Sequence, residues 1–399
     1  MKNSLRLILF LFIVSISLHT NTYAQKLKSK TVDKIVNKTM ETFNVPGIAV
    51  AIIKDGKVIH NKGYGYRSLE SKEAVDTHTL FAIASNSKAF TSAALCILAE
   101  ENKLSLNDKV RKYIPEFKLY NSYVSEEFTI IDLLTHRSGL GLGAGDLMIF
   151  PTNNKYTKKE IIHNLRYLKP VSSFRTKYDY DNLLYIVAGE IIERVSGLSW
   201  GEYVNKKILE PLGMTESAPS FTLLKDTSNI ATPYVPIKEK LIKTSRSYNV
   251  NINPAGGIYS NTAELSKWVI TQLQNGKYEG KKIFSNVSSR KMWASHTIRR
   301  PNPMPFFTSN FNSYGLGWEV KDINGRKEVS HTGGLTGMVS QVVMIPELSL
   351  GIIILTNQQS GLAFMNISDK IKDLYLNNGN RKRLDLYKKY ESYSEKRNQ

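Results

Sequence analysis

The chain has 399 residues, 41% of them hydrophobic and 22% charged, with no internal repeat or low-complexity tract, as is ordinary for a soluble globular protein. A single cysteine, Cys96, excludes a disulfide framework. The formal net charge of +19 could favour nucleic acid, but no nucleic-acid-binding motif is present and the leader predicts export, so we expect no nucleic-acid partner.

The N-terminus predicts an export signal. Lys2 and Arg6 provide the positive start, residues 7–18 form an apolar run, and residues 22–24 offer small side chains at a cleavage site. A retained membrane anchor is the alternative, but the apolar run is short for one. We therefore expect a signal peptide over residues 1–24. The mature protein would be exported, periplasmic or secreted, with no integral membrane segment.

The next segments change from strand to helix and back to strand. Residues 31–43 have helical apolar spacing, and two β-branched runs joined by Asp-Gly follow as a hairpin. A helix that is apolar nearly all round begins near Ala89 and should be buried. Residues 105–272 have mostly helical patterns, and strand patterns return over residues 314–358. A last helical pattern ends near Leu376.

This order predicts an α/β (α+β) fold, in which one sheet is built from both chain ends around a helical insertion. We expect one domain over residues 31–376. Its sheet part would comprise about 31–84 and 273–376, and its helical part about 85–272. Residues 377–399 are polar and charged, which indicates a solvated tail or a linker.

Ser85 and Lys88 form a Ser-x-x-Lys motif at the start of the buried helix. Residues at i and i+3 share one helix face. A serine becomes nucleophilic when a base takes its proton, and burial can lower a lysine pKa enough for that task. An ordinary helix cap is the alternative. Chance supplies such matches, since Ser288 and Lys291 also fit the motif.

A second feature is Tyr180-Asp181-Asn182. A tyrosine hydroxyl beside cations can act as acid and base, and an amide can bind a substrate carbonyl. Tyr-x-Asn also occurs elsewhere in the chain, including Tyr259-Ser260-Asn261, where Asn261 is predicted to cap the following helix.

A third feature, His331-Thr332-Gly333-Gly334, follows a predicted strand and is the only His/Lys-Ser/Thr-Gly match in the sequence. The alternative interpretation is that these residues have no function in a site and simply form the end of a strand followed by a glycine turn.

In this order the three motifs resemble those of the serine β-lactamase and penicillin-binding-protein superfamily. Tyr-x-Asn is similar to the class C branch, which includes D-alanyl-D-alanine carboxypeptidases, D-aminopeptidases and esterases. Three connecting blocks also resemble that family, namely residues 133–140, 253–268 and 314–318. The resemblance covers roughly residues 31–376. It implies a β-lactamase/transpeptidase-like fold with an antiparallel sheet flanked by helices.

The resemblance also implies residue roles. Ser85 would form the acyl-enzyme, Lys88 would share or accept its proton, and Tyr180 would act as general acid or base. Asn182 would hold the substrate and orient Lys88. The backbone N–H groups of Ser85 and Gly334 would form the oxyanion hole.

Two positions depart from the usual pattern. His331 replaces the usual lysine of the triplet, which with Thr332 and Gly333 would bind substrate. A histidine is mostly neutral near pH 7, could hydrogen-bond Tyr180, and offers a weaker grip on a substrate carboxylate. Asp181 places an acidic residue in the Tyr-x-Asn loop, and we expect its side chain to point away from the cleft.

These features predict an exported serine hydrolase that acts on small ester, amide or peptide substrates without a cofactor or metal. Esterase-like or D-amino-acid peptidase-like activity is the first prediction, and weak β-lactamase activity is the second. A non-catalytic ligand-sensing or scaffold domain is the alternative from another functional class. Gly197 to Gly201 fits the Gly-x-Ser-x-Gly elbow around Ser199, but a helical pattern precedes it where an elbow needs a strand.

Overall fold

The computed structural model describes residues 27–151, 154–237, 240–246, 249–300, 307, 309–376 and 383–389. The predicted signal peptide over residues 1–24 lies outside the described residues.

Among the described residues, eight strands form the antiparallel sheet at the centre of the fold, in the order β2-β1-β14-β13-β12-β11-β10-β9. The strands of this sheet are β1 (Gly47–Lys54), β2 (Lys57–Gly65), β9 (Thr297–Ile298), β10 (Asn312–Tyr314), β11 (Glu319–Ile323), β12 (Arg326–Leu335), β13 (Met338–Ile345) and β14 (Leu350–Thr356). Short two-stranded pairs join β3 (Phe81–Ala82) to β6 (Tyr259–Ser260), β4 (Tyr234–Ile237) to β5 (Lys240–Lys243), and β7 (Lys277–Tyr278) to β8 (Lys281–Lys282).

The helices surround this sheet. They are α1 (Ser29–Phe43), α2 (Ser87–Glu100), α3 (Ser122–Glu127), α4 (Ile130–Leu134), α5 (Lys158–Asn164), α6 (Leu183–Ser196), α7 (Trp200–Val204), α8 (Asn253–Gly256), α9 (Thr262–Leu273), α10 (Asn286–Met292) and α11 (Gly361–Leu376). The helices α1 and α11 pack against one face of the sheet, whereas α9 packs against β1 and β14 on the other face.

Continuous apolar sequence in β1 and β14 explains how the two chain ends meet in one sheet. Strand β1 pairs with β14 from Ile48 opposite Thr356 to Lys54 opposite Leu350. Both strands are almost wholly buried, because each has helices on both of its faces. One apolar cluster lies between the sheet and α1 with α11, and a larger one lies between the sheet and the helical part. The predicted fold class is therefore confirmed.

Several local predictions are also confirmed. The Asp-Gly hairpin joins β1 to β2, with both turn residues at positive φ. Twelve of the fourteen residues of α2 are buried, as the nearly uniform apolar pattern predicted. Asn261 caps α9, because its side chain accepts a hydrogen bond from the backbone of Glu264. Ser199 similarly caps α7 and forms a capping box with Glu202, so it sits between two helices.

Two expectations need correction. The region 105–272 is less helical than predicted, since it contains the β4–β5 hairpin and long irregular loops. The tail is not wholly solvated, because residues 383–389 are helical and bury Arg383 and Tyr387. Arg383 pairs with Asp373 on α11, and this partner makes burial of its charge possible.

Candidate active site

Ser85 lies in a tight 3₁₀ turn, Ala84–Asn86, that leads directly into α2. Ala84 has φ of +48°, a left-handed conformation that costs a non-glycine residue of order 1–3 kcal/mol. The turn is held on both sides. The Ile83 N–H donates to the Ile258 carbonyl, and the Ser340 hydroxyl donates to the Ile83 carbonyl. The strained turn thus fixes the position of the Ser85 side chain.

The Lys88 ammonium group is fully buried one helical turn beyond Ser85. Its Nζ atom lies 2.9 Å from the Asn182 Oδ1 atom, 2.9 Å from the Ala255 carbonyl oxygen and 3.1 Å from the Ser85 Oγ atom. The first two oxygens can only accept hydrogen bonds. A neutral amine has two N–H bonds, so both are used there and its lone pair is directed at Ser85. This geometry suits removal of the serine proton.

The charge state of Lys88 also suits a base. Burial lowers the pKa of Lys88 to about 7, and the nearby carboxylates of Asp181 and Asp146 oppose this by raising it. The Nζ atom also lies 4.8 Å from the ring centre of Tyr180 and 5.2 Å from that of Tyr185. A substantial fraction of Lys88 is therefore neutral near pH 7 and available to accept a proton.

Tyr180 is the second side chain that contacts the Ser85 hydroxyl. Its hydroxyl donates a 2.8 Å hydrogen bond to the Ser85 Oγ atom. Burial raises the pKa of Tyr180, so the phenol stays protonated at neutral pH. Tyr180 thus serves as a proton donor in the resting site, whereas Lys88 has the pKa of a base.

His136 packs against Tyr180 and hydrogen-bonds the backbone of the next residue, Asp181. Its ring centre lies 4.2 Å from that of Tyr180, and its Nδ1 atom accepts a 3.2 Å hydrogen bond from the Asp181 backbone N–H. Burial lowers the pKa of His136 well below its usual range, so the ring is neutral and carries its proton on Nε2. Its φ of +52° marks a second strained residue beside the site.

The other two residues of the Tyr-x-Asn motif have distinct positions. Asn182 orients Lys88 through the contact described above. Asp181 is buried, and its Oδ1 atom accepts a 2.9 Å hydrogen bond from the Leu184 N–H in the first turn of α6. Its side chain therefore points into the helix start and away from solvent. Burial raises the pKa of Asp181 to about 7.

The prediction that His331 could hydrogen-bond Tyr180 is wrong. The His331 Nε2 atom lies 2.7 Å from the Tyr314 hydroxyl, and its Nδ1 atom lies 2.6 Å from the Thr332 carbonyl oxygen. Because that carbonyl can only accept, Nδ1 carries the proton and Nε2 accepts from Tyr314. Burial lowers the pKa of His331 to about 4, so this position is uncharged at neutral pH.

The two glycines after His331 differ in their surroundings. A Cβ atom on Gly333 would lie 2.1 Å from the Ile83 carbonyl oxygen, so this glycine allows β12 to approach the Ser85 turn. Its contact with substrate stays a prediction. A Cβ atom on Gly334 would meet nothing within 4 Å, because this residue faces open space. Because side chains alternate along a strand, Thr332 lies on the opposite face of the sheet from His331 and Gly333. There it lines a cavity of about 290 Å³ together with Gln341.

Three site residues were not predicted, yet each lies in one of the connecting blocks. His136 belongs to the block 133–140, Ala255 to the block 253–268, and Tyr314 to the block 314–318. The similarity of these three blocks to the family was therefore the sequence feature that could have indicated these residues. Backbone acceptors such as the Ala255 carbonyl have no sequence signature.

Two features are absent from the described part of the chain. No group of three or more histidine, cysteine, aspartate or glutamate side chains there could hold a metal ion. No helix among the described residues is long and apolar enough to cross a membrane.

The fold and the site are those of the β-lactamase and penicillin-binding-protein class of serine hydrolases. The sequence matches the family described as Beta-lactamase over residues 32–375, so the chain belongs to this family. A solved structure described as an octameric penicillin-binding protein homologue from Pyrococcus abyssi is similar, with a TM-score of 0.76 and 31% sequence identity. The similarity covers 88% of this chain and 78% of that one.

Two curated relatives extend the comparison. Protein flp from Staphylococcus aureus (strain N315) is 31% identical over 334 residues, which cover 82% of this chain. The unguisins hydrolase ungD' from Aspergillus campestris is 28% identical over 345 residues, or 81% of this chain. The matches span only 63% and 60% of those two proteins. Family membership therefore carries over, whereas the substrates of the longer proteins do not.

Proposed function

We propose that the protein is an exported serine hydrolase that cleaves small ester or amide substrates through an acyl-enzyme on Ser85. Its activity would be that of an esterase or of a D-amino-acid peptidase. The observation that carries the proposal is the set of contacts around the Lys88 Nζ atom. Two carbonyl acceptors occupy its N–H bonds, and the third contact is the Ser85 Oγ atom.

The proposed reaction begins when Lys88 accepts the Ser85 proton while the Oγ atom attacks the substrate carbonyl carbon. The resulting oxyanion would be stabilised by the backbone N–H groups of Ser85 and Gly334. Tyr180 gives its phenolic proton to the leaving group as the carbonyl–leaving-group bond breaks, and the Lys88 proton replaces it. Water then attacks the acyl-enzyme carbonyl carbon, and the Tyr180–Lys88 pair takes up the water proton. The pair returns this proton to the Ser85 Oγ atom as the acyl–Oγ bond breaks, which releases the acid product and restores Ser85.

The charge of the site supports neutral over anionic substrates. His331 is neutral at pH 7, and the carboxylates of Asp146 and Asp181 act on Lys88. No fixed positive charge therefore stands at the position where a lysine would bind a substrate carboxylate. This favours simple esters and amides over penicillins and cephalosporins, which carry a carboxylate.

The test is hydrolysis of p-nitrophenyl acetate by the wild type and by Ser85→Ala. Loss of the nucleophile should lower kcat/KM by at least about 10³-fold, since acyl-enzyme formation is abolished. Ser288→Ala is the matched control, because Ser288 also precedes a lysine by three residues but bonds to Glu100. If Ser85→Ala retains wild-type hydrolysis, the proposal fails and a non-catalytic binding role becomes the better account.

A further inference from the structure

The helical part of the protein carries a group of strongly exposed apolar side chains. Among the described residues, the six most exposed large hydrophobic side chains are Ile298 and five that lie between positions 123 and 171. These five, which we call the apolar surface, are Tyr123 (70% exposed), Leu142 (80%), Leu147 (83%), Tyr167 (66%) and Val171 (71%). Single exposed hydrophobic residues are ordinary, whereas a group of them on one surface marks an interaction site.

Three segments of the chain meet and form this surface. The Val171 N–H donates a 2.8 Å hydrogen bond to the Gly139 carbonyl oxygen, and a Cβ atom on Gly141 would lie 2.9 Å from the Val171 Cγ2 atom. The loop before α5 therefore packs beside Val171. The Phe174 ring packs on Phe128, which directly follows α3, and their ring centres are 5.3 Å apart. The five side chains thus belong to one continuous part of the protein surface.

The apolar surface adjoins the candidate site. A Cβ atom on Gly145 would lie 2.5 Å from the Leu183 Cδ1 atom and 3.0 Å from the Leu168 Cδ1 atom, so the loop before α5 contacts both. Leu183 directly follows Asn182, whose side chain contacts Lys88. A partner bound to the apolar surface would therefore lie next to the Tyr-x-Asn segment of the site.

Positive charge accompanies the apolar surface. Lys169 lies two residues before Val171, and Lys177 follows in the same segment. Both lysines are exposed, and neither forms an ion pair within the described part of the chain. The acidic residues of α3, Glu126 and Glu127, are each paired with a basic residue. The surface therefore combines projecting apolar side chains with unpaired lysines.

We propose that the apolar surface binds the surface of an anionic lipid bilayer. Its apolar side chains enter the boundary between headgroups and acyl chains, while the lysines contact anionic headgroups. Tyrosine suits this boundary, because its ring is apolar and its hydroxyl stays in water. Leucines that are four-fifths exposed project from the protein, which suits entry into a fluid layer better than docking of a rigid partner. The inference goes beyond the proposed hydrolase and does not depend on the chemistry at Ser85.

The test is co-sedimentation with vesicles of equal parts phosphatidylcholine and phosphatidylglycerol, and with vesicles of phosphatidylcholine alone. The wild type should bind the anionic vesicles more tightly. Burial of one leucine side chain is worth at least about tenfold in affinity, so the double variant Leu142→Asp with Leu147→Asp should bind about 100-fold more weakly. One lysine near an anionic membrane contributes about fivefold, so Lys169→Gln should weaken binding to that extent.

Leu374→Asp is the matched control and should bind as the wild type does. Leu374 is an exposed leucine on α11, which packs on the opposite face of the sheet from the helical part. Urea unfolding verifies that each variant is folded, and substitutions at exposed positions should leave the stability within about 0.5 kcal/mol of wild type.

The outcomes decide the proposal. Weaker binding by the double leucine variant, with wild-type binding by Leu374→Asp, supports it. If the wild type binds neither kind of vesicle, binds both equally, or binds no better than the folded double variant, the proposal fails. Self-association of the wild type, seen by analytical ultracentrifugation and lost in the double variant without any vesicle binding, would assign the surface to a second copy of the chain and overturn the proposal. The role of Ser85 is unaffected by each of these results.

Discussion

The substitution Gly333→Ala tests how closely β12 must approach the nucleophile. The added Cβ atom would lie 2.1 Å from the Ile83 carbonyl oxygen, 2.5 Å from the Ser340 Oγ atom and 3.1 Å from the Ala84 Cβ atom. The Ile83 carbonyl cannot simply yield, because it accepts a hydrogen bond from Ser340 and the Ile83 N–H is bonded to Ile258. Relief requires the strand to move by about 1 Å, since unstrained carbon contacts are near 3.5 Å.

Both stability and catalysis should respond to that movement. Overpacking of a dense interior costs about 1–3 kcal/mol of unfolding free energy, which urea denaturation measures. A 1 Å displacement of reacting groups can lower a rate by about 10²-fold, so we expect a loss of that order in kcat for p-nitrophenyl acetate. Gly334→Ala is the matched control, because its Cβ atom meets nothing within 4 Å, and its stability should stay within about 0.5 kcal/mol of wild type. Wild-type stability and kcat in Gly333→Ala would refute the close approach.

Three further predictions concern groups around the serine. Because burial lowers the pKa of Lys88 to about 7, kcat/KM for p-nitrophenyl acetate should rise tenfold per pH unit below pH 7 and level off above it; a profile flat from pH 5 to 9 would contradict the role as base. His331→Lys should raise the activity toward esters with a free carboxylate relative to neutral esters, and an unchanged ratio would show that residue 331 does not set this preference. His136→Phe keeps the ring beside Tyr180 but leaves the Asp181 N–H unpaired, so it should cost about 1–3 kcal/mol in urea unfolding and lower kcat; wild-type values for both would contradict a positioning role.

The contact between Ser85 and Lys88 was predictable because their spacing is local. Ser85 and Lys88 are one helical turn apart, so their contact follows from helix geometry alone. The contacts of Ser85 and Lys88 with Tyr180 and Asn182 are long-range. They could be predicted only from the order of the motifs, which resembles that of the family. The fold class was predictable for a related reason, since the strand patterns at the two chain ends were strong and the hairpin turn was unambiguous.

The remaining contacts depend on tertiary packing that a single sequence does not encode. The partner of His331 is Tyr314, which lies two strands away in the sheet, and the expected contact with Tyr180 is absent. Gly333 contacts the Ile83 backbone because β12 passes over the serine turn. The polar composition of residues 377–399 predicts a solvated tail or a linker, whereas residues 383–389 are helical and bury Arg383 and Tyr387. Their burial depends on acidic partners on α11 that no local pattern reveals.

The central claim is that Ser85 is the nucleophile, and covalent labelling tests it most directly. The folded protein is incubated with a fluorophosphonate, digested, and mapped by mass spectrometry. We expect one adduct, on the peptide that contains Ser85, which is absent in Ser85→Ala and slower to form below pH 7 as Lys88 becomes protonated. An adduct on Ser199 or Ser288, or no adduct on the folded protein, would contradict the account.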